Sequence, residues 1–600
     1  MTFRRLAEYL KQLDETTLRN KMTEILADLF KEAKDKEIGV VCQLLQGRVA
    51  PLYEAVEFGI ADKMIIRSIA LGLELATDKV TVLFKKTGDL GLTAERIKNK
   101  EDRIPPSPRL RRASKNKKEL SVKEVYEVLY KLATSGGEGS QEVKIKLLAQ
   151  LIKDLDPLSC RYVVRIPINR LRLGFSDMTV LDALSWHLTG NKSLRGRIEK
   201  AYNVRPDLRF ISNTLKEEGI KGLVQVKPRV GTPILMARAE RMSSGEDIIL
   251  KIGKGAIEKK YDGFRIQGHI KDQKTVLFSR NLENVTNMYP DIVLGIQKQL
   301  KVKEAIIEGE AVAFNPNTGE YLPFQETVQR KRKYNIEAKA KEIPLKLFVF
   351  ELLYADGKSY LGESYTERKK KLKNIVGAGE TILFAEEEVT DKASRVEEIF
   401  QDAITRGLEG VMAKKLDGEY RAGSRDFNWI KYKRSYAGKL SDTIDCVVMG
   451  YDYGQGKRAG FGIGDFLIGV HDKKAEKYST VAKIGTGLTD DEWKIIKARS
   501  DKLKVKSKPE NYSVDKIMDC DIWIEPDIVV EIRADEITRS PVHTAGRIMQ
   551  TSKSGKAFEV KEAGYALRFP RLERFRNDKK PSDATTVGEV IKMYKMQGKK

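Results

Sequence analysis

The chain has 600 residues, enough for about three to four domains of ordinary size. Charged residues make up 33% and hydrophobic residues 41%, as in a soluble globular protein, and no run of about 18 apolar residues is present to span a membrane. A net charge of +24 and a pI near 9.4 favour a polyanionic partner, nucleic acid first, with a lysine-rich solvated surface of the thermophile kind as the alternative.

Cysteines stand at 42, 160, 446 and 520, and histidines at 187, 269, 471 and 543. No Cys-x-x-Cys pair occurs and the two sets do not cluster, so neither a zinc site nor a disulfide framework is expected. The start, Met1-Thr2-Phe3-Arg4-Arg5-Leu6, lacks the apolar core of a signal peptide and reads as an amphipathic helix. An intracellular, cytoplasmic protein in reducing surroundings is expected.

Residues 1–230 read as an all-α domain, with apolar positions at three- and four-residue steps: Leu6, Tyr9, Leu10 and Leu13, then Leu18, Met22, Ile25 and Leu29. Arg103-Ile104-Pro105-Pro106-Ser107-Pro108 breaks the pattern, and basic residues dominate through Lys118. This predicts an exposed loop that either touches phosphates or is simply solvated. After Val230-Gly231-Thr232-Pro233, β-rich runs at 264–270, 275–279, 305–314 and 345–353 alternate with helical stretches at 367–375 and 394–405. An α+β domain is predicted over 231–433. Short strands with glycine-rich turns, as at 443–450, 464–471 and 528–532, predict a small β-barrel of the oligonucleotide-binding (OB) type over 434–586. Residues 587–600 read as a basic tail with a frayed end.

The chemistry lies in the α+β region. Glu258-Lys259-Lys260-Tyr261-Asp262-Gly263 is followed in order by Arg265, Phe278-Ser279-Arg280-Asn281, Glu308-Gly309-Glu310-Ala311, Phe350-Glu351-Leu352-Leu353-Tyr354, Glu409-Gly410-Val411-Met412-Ala413-Lys414, Arg425 and Trp429-Ile430-Lys431-Tyr432-Lys433. Lys260 is the candidate nucleophile. With an ordinary pKa only about one lysine in 2,500 is neutral at pH 7, so a nucleophilic lysine needs desolvation or nearby positive charge. Attack on an α-phosphate builds negative charge, for which Arg265, Arg280, Arg425, Lys431 and Lys433 are available. Glu310 and Glu409 offer oxygen ligands to a divalent metal, and Phe350 offers a flat face to a purine. Any one of these residues alone reads as an ordinary surface or core residue; the ordered set does not.

That ordered series resembles the nucleotidyltransferase signature of ATP-dependent DNA ligases of the archaeal and eukaryotic replicative type. The resemblance covers about residues 40 to 586. It includes Pro51-Leu52-Tyr53-Glu54, Gly88-Asp89-Leu90-Gly91, Gly136-Gly137-Glu138-Gly139-Ser140 and Arg170-Leu171-Arg172-Leu173-Gly174, which look like the helical DNA-binding domain of that family. The resemblance implies that Lys260 becomes covalently attached to AMP. It implies ATP contacts at Glu258 (adenine region), Arg265 and Glu310 (ribose side), Arg280, Phe350 (adenine stacking), Arg425 and Lys431, with Lys414 and Lys433 as further phosphate contacts. Glu310 and Glu409 are the implied ligands of Mg2+ or another divalent cation such as Mn2+. Arg568-Phe569-Pro570-Arg571 and Arg576-Asn577-Asp578-Lys579 resemble the terminal motif, which in the family closes over ATP in the first step only.

The implied activity is sealing of 5′-phosphate/3′-hydroxyl nicks in duplex DNA, in replication, repair and recombination. The implied partners are nicked DNA, encircled by the three domains of a monomer, and a sliding clamp, although no Gln-x-x-aliphatic-x-x-aromatic-aromatic string is evident. Glu351 departs from the aspartate usual after the stacking Phe. The nearest rivals are an RNA ligase or an mRNA-capping guanylyltransferase, which lack a helical domain of this size. A scaffold that binds DNA without catalysis is the rival from another class.

Overall fold

The computed structural model describes residues 1–99, 119–171, 173–315, 321–322, 324–332, 335–433, 443–454, 460–485, 488–551 and 558–597. The proline-rich basic segment 103–118 and Arg172 lie outside them. The chain forms two compact units, Met1–Arg434 and Ser435–Lys600. No described helix is long and apolar enough to cross a membrane.

The first unit begins all-helical, from Phe3–Asp14 to Leu208–Val224. Local chemistry sets the starts. Thr2 Oγ1 accepts the Arg5 N–H at 3.3 Å, and Ser121 and Glu124 form a reciprocal capping box for Val122–Thr134. Phe3, Leu6, Ala7, Leu10 and Leu13 are buried along one stripe of the first helix, and one continuous core runs through to Leu223. Gly137 and Gly139 have positive φ just before the helix Ser140–Asp154.

Two sheets follow. The first has the order β1-β11-β10-β2-β9, with β1 Arg238–Arg241, β2 Gly255–Lys260, β9 Glu387–Thr390, β10 Gly410–Lys415 and β11 Arg425–Lys433. The second has the order β4-β3-β5-β6-β7, with β3 Phe264–Lys271, β4 Lys274–Ser279, β5 Glu304–Ala313, β6 Leu345–Ala355 and β7 Lys358–Ser359; β8 Ile382–Phe384 pairs with β6. Helices Gly245–Ile252 and Ala393–Thr405 share a core with the first sheet. Helices Pro290–Gln299 and Tyr365–Ile375 share one with the second. A third cluster holds Ile306 and Leu353 of the second sheet against Met412 and Trp429 of the first, so the two sheets meet face to face.

The second unit is a β-rich barrel with the OB-like character expected. Strand Ile444–Asp452 pairs with Asp465–Asp472, Ile522–Ile524 and Val529–Arg533, and Val529–Arg533 pairs on with Arg571–Phe575. One expectation is corrected here. Residues from 587 do not begin a tail: Val587–Met596 is a helix, capped by Thr586 and Glu589, with Val587 and Val590 buried in the barrel core.

Candidate active site

Lys260 is the last residue of β2, and strand pairing fixes its backbone. It faces Gly410 on β10, and Gly410 faces Lys433 on β11. Two residues along, Glu258 faces Met412, which faces Lys431. Alternate residues of a strand share a face, so Glu258, Lys260, Lys431 and Lys433 lie on one face of the sheet. Two glycines make this geometry possible. Gly410 has φ +142°, and a Cβ there would lie 2.2 Å from the Tyr432 carbonyl oxygen. A Cβ on Gly263 would lie 2.1 Å from the carbonyl oxygen of Ala311 on β5. That close approach lets the Gly263 N–H reach the Glu310 carboxylate.

The Lys260 ammonium pairs with Glu409, and Lys433 pairs with the same carboxylate. The Glu409 backbone N–H donates to the Lys260 carbonyl at 3.0 Å, so this partner is anchored to Lys260 twice. Glu310, across β5 from Arg265, is different. Among the described residues no salt bridge reaches it, and burial pushes its carboxyl up to about 7, with Lys260 and Arg265 pulling back only in part. A desolvated, under-compensated carboxylate fits a divalent cation, which binds through one or two carboxylates plus substrate phosphate. Glu409 offers the second oxygen donor only when its lysines release it. Among the described residues no group of three His, Cys, Asp or Glu side chains that could hold a metal ion is present.

Cations converge beside Lys260. Lys431 is pushed down to about 8 by burial and then by Arg241, Arg425, Lys260 and Arg280. Arg280 is itself lowered by desolvation, then by Arg265 and Arg238. Like charges gathered this closely form a site for a polyanion.

Phe350, half-buried on β6, meets Trp429 edge-on at 5.9 Å and has the Lys414 ammonium 4.8 Å from its ring centre. Below this platform Glu258 is buried. It accepts from Tyr365 at 2.7 Å and from Lys369 at 2.9 Å, and pairs with Lys414 at 2.7 Å. Burial alone would raise Glu258, but Lys414 and Lys369 hold it below the ordinary carboxylate range. Lys414 is thus a buried partner of Glu258. Arg265 is likewise tied down, to Glu308 at 2.6 Å and the Ala237 carbonyl at 2.7 Å, with Glu308 also accepting from Tyr420 at 2.9 Å. Glu351 holds Arg368 through both oxygens, at 2.6 and 3.3 Å, and lies 4.0 Å from the Lys414 ammonium.

The sequence reading had missed Arg238, Arg241, Tyr365, Lys369 and Tyr420. Their only local signal was a charge or a hydroxyl, Tyr365 and Lys369 on the helix Tyr365–Ile375. In the barrel unit, Arg576 is held by Asp445 at 3.1 Å and Asp578 at 2.7 Å, Lys579 by Asp445 at 2.6 Å, and Arg571 by Asp535 at 2.8 Å.

Residues 236–433 match the ATP dependent DNA ligase domain, residues 2–185 the DNA ligase N terminus, and residues 459–579 the ATP dependent DNA ligase C terminal region. A "Probable DNA ligase" of Dictyoglomus turgidum is 46% identical over 600 residues, covering 100% of this chain and 98% of that protein. The chain belongs to the ATP-dependent DNA ligase family. The "DNA ligase" of Acidianus ambivalens is 40% identical over 604 residues, covering 100% of this chain and 98% of that one. A solved structure named Pmar-Lig_PreS3 superposes with a TM-score of 0.53 at 18% identity, covering 95% of this chain and 99% of that chain, and shares the fold. Nick sealing is the known role of DNA ligases of this family, with ATP and a divalent cation as cofactors and DNA as the partner.

Proposed function

We propose that Lys260 carries the family's nucleotidyl transfer in this chain. Its neutral amine attacks the α-phosphorus of ATP. An N–P bond forms, the bond to pyrophosphate breaks, and pyrophosphate leaves. The AMP then passes to the DNA 5′-phosphate, which frees the lysine. The 3′-hydroxyl displaces AMP and closes the phosphodiester. Before the first attack the ammonium must lose its proton and its ion pair with Glu409 must open. Arg280, Arg425 and Lys431 hold phosphate oxygens, and Lys433 joins them once released from Glu409. Phe350 stacks on the adenine, with Glu258 setting the floor of that pocket through Lys414. Arg265 and Glu310 lie on the ribose side. Glu310, with Glu409, would hold the divalent cation, which neutralises phosphate charge when bound.

The convergence of Arg241, Arg425, Lys260 and Arg280 on Lys431 is the observation that carries this reading. The helical part to about residue 230 serves as the DNA-binding domain, residues 231–433 as the adenylation domain and the barrel as the OB domain. A monomer working with a sliding clamp at the nucleoid is supported by the family resemblance; gel filtration of the chain with and without the clamp tests both. The decisive experiment is incubation with α-labelled ATP followed by peptide mapping. The expected label sits on Lys260, and label on Lys259 or elsewhere refutes the assignment.

A further inference from the structure

Arg238, paired with Arg425 across β1 and β11, belongs to none of the ligase motifs. Its backbone is held on three sides. Ala237, just before it, donates its N–H to the Tyr420 hydroxyl at 2.9 Å and gives its carbonyl to Arg265 at 2.7 Å. Arg238 donates its own N–H to the Ser424 carbonyl at 2.9 Å and lies in parallel register with Arg425. Ala239 is buried, so the alternation of the strand turns the Arg238 side chain the other way, and it is exposed. Its charge acts on Arg280, whose charge in turn acts on Lys431.

Among the described residues, none of Arg238, Arg280, Arg425 and Lys431 is in a salt bridge. Elsewhere in this unit exposed arginines find carboxylates, as Arg395 does with Glu388 at 2.7 Å and Arg406 with Asp402 at 3.1 Å. Three guanidiniums and an ammonium gathered without a salt bridge, with the Glu310 carboxylate offsetting only part of their charge at Arg280, repel one another until a multiply charged anion enters. A guanidinium fork matches phosphate oxygens two at a time.

We infer that Arg238 is a phosphate-binding residue of the ligation reaction, placed next to Arg425 by its pairing with β11. The inference rests on the site reading given above. The phosphate comes either from ATP or from the 5′ end of the nick, and the assay has one arm for each.

The test uses full-length Arg238→Gln and Arg238→Lys beside the unaltered chain. The first arm follows AMP attachment against ATP concentration without DNA. The second follows single-turnover sealing of a pre-adenylylated nick without ATP. Arg238→Gln is expected to lose about tenfold in at least one arm, as a raised apparent KM for ATP or as weakened use of the nick, with an unchanged melting midpoint. Arg238→Lys is expected to recover part of the loss, since it keeps the charge and lacks the fork. The arm that moves names the phosphate. Arg238→Gln matching the unaltered chain in both arms overturns the inference. So does loss in both arms with a lowered melting midpoint in both variants, which marks a structural residue. Failure of the site reading looks different: the unaltered chain then carries its AMP on a lysine other than Lys260.

Discussion

Lys260, the proposed nucleophile, sits inside an ion pair, which sharpens what substitution should do. Lys260→Ala removes the amine. Lys260→Arg keeps a cation for Glu409 but supplies no neutral amine near neutral pH. Both variants are expected to show no AMP adduct on a denaturing gel while still retarding nicked DNA; an adduct in either would move the nucleophile. Much of this was legible in the sequence, because Lys260, Asp262 and Gly263 act through one turn and the cations fall in short strings around it. Glu258 was not. Its partners Lys369 and Lys414 are far along the chain and meet it only once β2 and β10 pair and the helix Tyr365–Ile375 docks. Arg238 escaped for a related reason, since only its register with Arg425 brings it to the site.

At the scale of elements, the register of β2, β10 and β11 depends on Gly410. Gly410→Ala drives a methyl against the Tyr432 carbonyl and forces a strained φ. A loss of about 1–3 kcal/mol in stability is expected. AMP attachment should fall further than the melting midpoint suggests, because Lys260 shifts relative to Lys433. Denaturant unfolding and adduct formation on the same preparation check this; normal attachment in Gly410→Ala would refute it. The barrel offers a pH test. Asp465 faces Asp452 across paired strands, and burial, then Asp452, pushes Asp465 up to about 6 from 3.8. The native state therefore holds this proton more tightly than the unfolded chain does. Its stabilisation is full below 3.8 and is lost as pH rises through about 6. Asp465→Asn should melt increasingly above the unaltered chain as pH rises from 4 to 6, with a constant gain beyond; a gain that is flat across that range would exclude the carboxyl pair as its source. The strands at 264–270 and 345–353 were readable from their β-rich composition, and the structure gives Phe264–Lys271 and Leu345–Ala355. The helix Val587–Met596 was misread because the lysine-rich end after it was extended back over it. Its Thr586-x-x-Glu589 cap and the step from Val587 to Val590 and Ile591 were in plain view.

For the whole molecule, the +24 charge is a statement about counterions. Nick affinity should fall linearly on a log–log plot against salt, with a slope of about 0.9 per phosphate neutralised. A flat titration would show that the basic excess serves only solubility. The strand order β1-β11-β10-β2-β9 also has a consequence in time. β2 is hydrogen-bonded on both sides, by β10 and by β9, so its amides should be among the last in the unit to exchange with deuterated solvent. If Lys260 is the nucleophile, the strand that carries it should stay paired through turnover while its four-carbon arm moves. Leaving Glu409 and reaching phosphorus become rotamer hops of nanoseconds rather than strand openings. The slow event in a catalytic cycle belongs elsewhere in the chain.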